Sequence, residues 1–201
     1  WPRSWLDGSH KGLQRWRDDP EVMARLASEQ LRRGLRVEAF DTLSRLEKID
    51  HPGPYKVVVD YAHTDGALEA VLEALRPVTP GRLITIFGCG GDRDTAKRPR
   101  MGKAAESGSD RVILTSDNPR SESPEKILAE IKAGLERPEE ATLEVDRHAA
   151  IGLGIRMARE GDTVLIAGKG HEDYQEFSDR ERIHFDDREV ARDFLQEVCH
   201  V

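Results

Sequence analysis

The chain has 201 residues, of which 37% are hydrophobic and 34% charged, with a net charge of −7. That is room for one large domain or a domain with an arm, and it fits a globular protein with a heavily charged surface. The acidic balance argues against general nucleic-acid binding, which needs clustered Lys and Arg, and no apolar run approaches the roughly 20 residues of a membrane span.

Residues 1–18 carry all three tryptophans, Trp1, Trp5 and Trp16, among Gly, Ser and charges. This reads as an arm that docks on the main body or on a further segment. Residues 20–33 read as a helix, with Pro20 in its first turn, Val22, Met23, Leu26 and Leu31 as an apolar stripe, and Gly34 as its stop. A regular pattern starts near residue 45. Val57–Asp60 is a β-branched run and reads as a buried strand. Thr64 caps a helix carrying Ala67, Leu68, Val71, Leu72 and Leu75, which Pro77 ends.

Leu83–Phe87 reads as the next strand, followed by Gly88-Cys89-Gly90-Gly91. A helix is expected from near Pro99 to Ser107, and the basic run Lys97-Arg98-Pro99-Arg100 reads as a solvated helix start or a local anion site. Val112–Thr115 is the third strand. Ser123 caps a helix with Pro124 at its first position, running to about Leu135. Thr142–Val145 is a short fourth strand. Asp146 caps a helix over Arg147–Arg159, closed by Gly161. Thr163–Ala167 is the fifth strand. Glu176–Phe185 reads as a hairpin or irregular turn, and Asp186 with Glu189 is a capping-box signal for the last helix. Strands alternating with helices imply βαβ units and a parallel sheet, with the chemistry at the carboxyl ends of the strands.

Two cysteines, Cys89 and Cys199, make no disulfide framework, so a reducing, cytoplasmic setting is expected. The opening segment has neither the charged nor the apolar region of a signal peptide. The chain does not begin with Met, as expected of a fragment or a processed chain.

Four segments follow strand ends and carry polar chemistry. In Asp60-Tyr61-Ala62-His63-Thr64, Asp60 reaches a ribose hydroxyl or merely caps local backbone. In Gly88-Cys89-Gly90-Gly91-Asp92-Arg93-Asp94, the glycines let backbone amides approach an anion, yet the pattern is neither a dinucleotide fingerprint nor a Walker loop. Arg93 there meets a carboxylate or phosphate, or pairs with Asp92 or Asp94. In Asp117-Asn118-Pro119-Arg120, proline fixes the turn and aims Asn118 and Arg120. Arginine grips a carboxylate with two parallel hydrogen bonds, a geometry lysine lacks. In Gly168-Lys169-Gly170-His171-Glu172, Glu172 accepts from an ammonium group and Lys169 meets a phosphate, or the stretch is a solvated loop. No metal-ligand spacing and no nucleophilic triad is present, so no catalytic residue is named.

Taken in this order and spacing, these segments resemble the C-terminal domain of the Mur ligases, in the branch that adds meso-diaminopimelate. Further matches are Lys97-Arg98-Pro99, Asp146-Arg147 and Phe185-Asp186-Asp187, and the resemblance covers about residues 44–198. It implies an α/β, Rossmann-like, mostly parallel sheet of about six strands flanked by helices. Residues 44–201 would form that domain, and residues 1–43 an arm and helix left from a central domain. The resemblance implies a meso-diaminopimelate site made of Arg93, Asp117, Asn118, Arg120, Gly168 and Glu172, with Arg45, Asp60 and His63 facing a nucleotide. Ser44-Arg45-Leu46-Glu47 departs from the family's usual Gly-Arg-Leu-Glu.

The implied reaction joins meso-diaminopimelate to UDP-MurNAc-L-Ala-D-Glu through an acyl phosphate, using ATP and Mg2+ held by a central ATPase domain. This sequence has no Gly-Lys-Ser/Thr phosphate loop, so the chain alone is expected to be inactive. A non-catalytic module for amino acids or cell-wall peptides, derived from the same domain, is the alternative. Loss of a partner for Arg120 when lysine replaces diaminopimelate would cost about 1.5–3 kcal/mol.

Overall fold

The computed structural model describes residues 46–199. The tryptophan-bearing arm, the helix expected over 20–33 and Arg45 lie outside the described residues. Strand β1 is Glu47–Ile49, β2 Lys56–Asp60, β3 Leu83–Phe87, β4 Arg111–Leu114, β5 Thr142–Leu143 and β6 Thr163–Ala167. Helix α1 is Asp65–Leu75, α2 Lys97–Gly108, α3 Pro124–Lys132, α4 Arg147–Met157 and α5 Asp187–Cys199. A two-stranded hairpin, β7 (Tyr174–Glu176) and β8 (Arg182–His184), precedes α5.

The six-stranded sheet has the order β1-β2-β6-β3-β4-β5. Pairings from β2 to β5 are parallel, and only β1 is antiparallel. This is the parallel sheet that the alternating pattern implied, in the six-stranded, Rossmann-like form that the resemblance implied. Strand β6 enters between β2 and β3, so the loops leaving β6, β3 and β4 issue side by side from one edge of the sheet. Side chains alternate across a strand, and the strand sequences use that period on both faces. Val58, Leu83, Phe87, Leu114 and Leu165 face one core with α1, α2 and α3. Val57, Val59, Ile84, Ile86, Ile113, Val164 and Ile166 face the other with α4 and α5. Each such side chain, fully buried, contributes about 1.5–3 kcal/mol, so the central strands form a rigid base for the loops.

The helix starts follow local chemistry. Thr64, Ser123 and Asp146 each accept hydrogen bonds from first-turn amides of α1, α3 and α4. Several expected boundaries shift. Helix α2 begins two residues early, at Lys97, while α3 stops at Lys132 and α4 at Met157. Strand β4 starts at Arg111, and β5 is only Thr142–Leu143. Of the expected capping box, Asp186 bonds the Arg188 amide, but the Glu189 carboxylate pairs instead with His184 Nε2 at 2.6 Å. The run at 97–100 is not all solvated either: Arg98 is fully buried.

Candidate functional site

Three adjacent strand ends build the site. After β4, Thr115 continues the ladder by donating to the Phe87 carbonyl at 3.0 Å, and the chain then turns through Asp117-Asn118-Pro119-Arg120. After β3, the Gly91 amide donates to the Asn118 carbonyl at 2.8 Å. A Cβ on Gly91 would lie 1.9 Å from the Pro119 carbonyl oxygen. This glycine therefore serves close contact between two loops, and its amide points inward and not toward an anion. After β6, Gly168 takes φ +115° and Gly170 φ +55°, which folds the intervening Lys169 back beneath the strand ends.

Lys169 is the correction with most consequence. The sequence leaves it to meet a phosphate or to lie in a solvated loop, and neither holds, because its side chain is 0% exposed. Its Nζ donates to Asn118 Oδ1 at 3.0 Å, to Asp117 Oδ1 at 3.3 Å and to Glu172 Oε2 at 3.3 Å. Asn118 Oδ1 also accepts from the Glu176 amide at 3.0 Å, and Asn118 Nδ2 donates to Glu172 Oε2 at 3.0 Å. Gln175 Nε2 donates to the Asp117 carbonyl at 2.9 Å. Asp117, Asn118 and Glu172 thus form one knot with Lys169, and Gly168 stands beside it, its ideal Cβ position 3.9 Å from Asp117 Oδ2.

Arg120 adjoins this knot through Glu176. Its amide donates to the Glu176 carbonyl at 3.0 Å, its Nη1 to the Gly91 carbonyl at 2.8 Å, and its Nε stands 3.5 Å from Glu176 Oε2. The side chain is 18% exposed, and the backbone takes φ +50°. A positive φ is costly for a residue with a Cβ and recurs at functional sites. Arg93 is exposed and makes neither expected acidic pairing: its Nη1 donates to the Asp92 main-chain carbonyl at 3.2 Å. Gly90 separates the two arginines, its ideal Cβ position lying 2.9 Å from Arg120 Nη1 and 3.8 Å from Arg93 Cγ.

Asp60 and His63 stand in a different place, a cleft of about 340 Å³ that Tyr61, Val71, Gly170 and His171 also line. Asp60 Oδ1 accepts from the Ala62 amide at 2.7 Å, and His63 Nδ1 donates to the Tyr61 carbonyl at 2.9 Å. Local capping therefore occupies one Asp60 oxygen. Tyr61, which sequence reasoning passed over, joins the two regions. Its ring stands 4.6 Å from His63 and 5.6 Å from His171, and burial, with the carboxylates of Glu172 and Asp117, raises its pKa. The signal for Tyr61 was its position one residue past β2; nothing in its type marked it out.

Beneath the loops, Glu122 accepts from both Arg98 and the Asp92 amide, and these bonds hold its pKa at about 2. Among the described residues, no three His, Cys, Asp or Glu gather as metal ligands, and the whole sequence lacks a Gly-Lys-Ser/Thr loop. The described residues therefore offer no such ligand set for a Mg2+ ion. Nor is any helix among the described residues long and apolar enough to cross a membrane.

Known proteins resemble this chain in sequence and fold. The chain is 53% identical over 172 residues to UDP-N-acetylmuramoyl-L-alanyl-D-glutamate–2,6-diaminopimelate ligase of Solibacter usitatus, covering 85% of this chain and 34% of that protein. It is 58% identical over 139 residues to the ligase of the same name from Synechocystis, covering 69% and 27%. A solved structure of a ligase of that name superposes with a TM-score of 0.74 at 41% identity, over 89% of this chain and 38% of the other. The chain thus spans about a third of the length of the relatives it matches. The family model for the Mur ligase glutamate ligase domain matches residues 44–170, and the chain belongs to that family.

Proposed function

We propose that this chain is the amino-acid-binding domain of an amide-forming ligase that adds meso-diaminopimelate to UDP-MurNAc-L-Ala-D-Glu. The observation that carries the reading is the packing of the Asp117–Arg120 turn against the Gly168–Glu172 loop. Arg120 is held from one side by Gly91 and Glu176, which leaves its Nη2 for a ligand carboxylate. The carboxylates of Asp117 and Glu172 stand across Asn118 and suit an ammonium group. Diaminopimelate carries a carboxylate beside its distal amine, and lysine does not. Arg93, exposed next to Gly90, would meet the other carboxylate.

The role of these residues is to bind and orient. Fixing both ends of a zwitterion leaves its second amine in one place and converts attack on an activated acyl group into a nearly unimolecular step. The activation itself, with ATP and Mg2+, is assigned to the part of such a ligase beyond the third of its length matched here, so this chain alone would catalyse nothing. Asp60 and His63, and Arg45 outside the described residues, would face that central ATPase domain and its nucleotide.

Calorimetry of the 201-residue chain tests the reading. Meso-diaminopimelate is expected to bind at least about tenfold more tightly than L-lysine, and Arg120→Ala to erase the difference. Equal responses that do not depend on Arg120 would overturn it.

A further inference from the structure

We infer that Lys169 is a positioning residue for ligand recognition, its ammonium setting the orientation of the Asn118 amide and of the Glu172 carboxylate. The inference rests on the binding site proposed above. An ammonium has three donors and no acceptor, and here three side-chain oxygens meet it, from Asp117, Asn118 and Glu172. Taking such a group wholly out of water is costly unless its donors are satisfied. The positive φ of Gly168 and Gly170, open to glycine without a Cβ penalty, shapes the turn that brings the side chain here.

The consequence lies with Asn118. The two ends of its amide have nearly the same shape, so neighbours decide which end points where. Lys169 Nζ and the Glu176 amide both donate from one side, and they require oxygen there. Nδ2 is then turned onto Glu172 Oε2. Lys169 holds that same oxygen, so the Glu172 carboxylate is fixed from the Lys169 and Asn118 side. One buried cation also offsets one of two neighbouring carboxylates, leaving the knot matched to a single incoming ammonium. Without Lys169 the amide is free to flip, and Asp117 and Glu172 lose the cation that bonds both of them, with only the Arg147 guanidinium, itself paired with Asp187, nearby.

A double-mutant cycle on the 201-residue chain tests this, with the dissociation constant for meso-diaminopimelate as the readout. Lys169→Met and Asn118→Ala are each expected to weaken binding by about tenfold or more. The double variant is expected to be no weaker than the worse single one, because residues acting through one another are not additive. Independent, multiplying losses, or a Lys169→Met protein that binds like the unaltered chain, would overturn the role of Lys169 alone. No binding by the unaltered chain would overturn the site itself, and the role with it. A measurement without substitution guards against a variant that does not fold. The Lys169 ammonium protons are expected to exchange slowly with water in 15N-resolved spectra and to shift when diaminopimelate is added. Exchange at the rate of a surface lysine would overturn the proposal.

Discussion

The guanidinium of Arg98 and the carboxylate of Glu122 form a two-pronged pair, Nη1 to Oε2 at 2.9 Å and Nη2 to Oε1 at 2.8 Å, directly beneath the glycine turn after β3. Arg98 Nη2 also donates to the Gly90 carbonyl, and Glu122 Oε1 accepts from the Asp92 amide. A second carboxylate, Glu130, holds Arg98 Nη1 at 2.6 Å. The pair therefore clamps both ends of the turn whose Gly91 carbonyl holds Arg120. Removing Arg98 takes a charged partner from Glu122 and Glu130, both partly exposed, and from the Gly90 carbonyl, at about 1–3 kcal/mol. Arg98→Met is expected to lose stability on that scale in urea denaturation. Arg98→Lys should recover only part of it, since an ammonium cannot span both oxygens.

Glu122 also gives a prediction in pH. Its pKa falls from 4.5 to about 2, through the Arg98 bond first and the Asp92 amide second. A carboxylate whose folded pKa is depressed contributes stability that is present above its unfolded value and is lost as pH falls through its folded value. The window is therefore about pH 4.5 down to about 2. Asp110, Asp162 and Asp186 are also depressed, so the informative quantity is a difference between proteins. Unfolding free energy of Glu122→Gln should fall less steeply across this window than that of the unaltered protein. Parallel slopes would show that the pair contributes nothing there.

A second buried pair supports the other side of the site. Arg147 Nε and Nη2 meet Asp187 at 2.7 and 2.8 Å, with both side chains fully buried, and Nη2 also donates to the Ala167 carbonyl at 3.0 Å. Ala167 is the last residue of β6, so this pair ties α4 and α5 to the start of the Gly168–Glu172 loop. Asp187→Asn is expected to cost about 3–5 kcal/mol in chemical denaturation. Replacing both with Arg147→Met and Asp187→Leu should restore most of the loss, because apolar substitutes need no counter-ion. That double variant should still bind diaminopimelate more weakly, as the tie to Ala167 is gone.

How much of this was legible depended on the range of the forces involved. Helix starts at Thr64, Ser123 and Asp146 were readable because a cap acts within three residues. The buried strands were readable because β-branched runs mark them. Strand β1 went unnoticed, since Glu47-Lys48-Ile49 carries charge and owes its state to pairing with β2. The four loops were recognised as chemistry-bearing from position and order, and the sheet then placed three of them side by side. The fates of Arg98 and Lys169 were not legible. Each is a cation in a polar stretch, and each depends on at least one acceptor far away in sequence, Arg98 on Glu122 and Glu130 and Lys169 on Asp117 and Asn118. Nothing local distinguishes such a cation from one on the surface.

Two glycines make opposite predictions that follow from space alone. A Cβ on Gly91 would stand 1.9 Å from the Pro119 carbonyl oxygen and 2.8 Å from its carbon, both backbone atoms. The two loops must separate to admit it. Overpacking of this kind costs about 1–3 kcal/mol, and the separation pulls the Gly91 carbonyl away from Arg120 Nη1. Gly91→Ala should therefore lower stability and weaken diaminopimelate binding together. Gly66 is exposed in the first turn of α1, with nothing within 4 Å of its ideal Cβ position. Alanine there restricts the unfolded chain without a clash, so Gly66→Ala should raise stability by about 0.4–1 kcal/mol and leave binding unchanged. Thermal melts and calorimetry on the two variants read both quantities. Tight binding by a well-folded Gly91→Ala protein would show that Arg120 does not depend on the Gly91 contact.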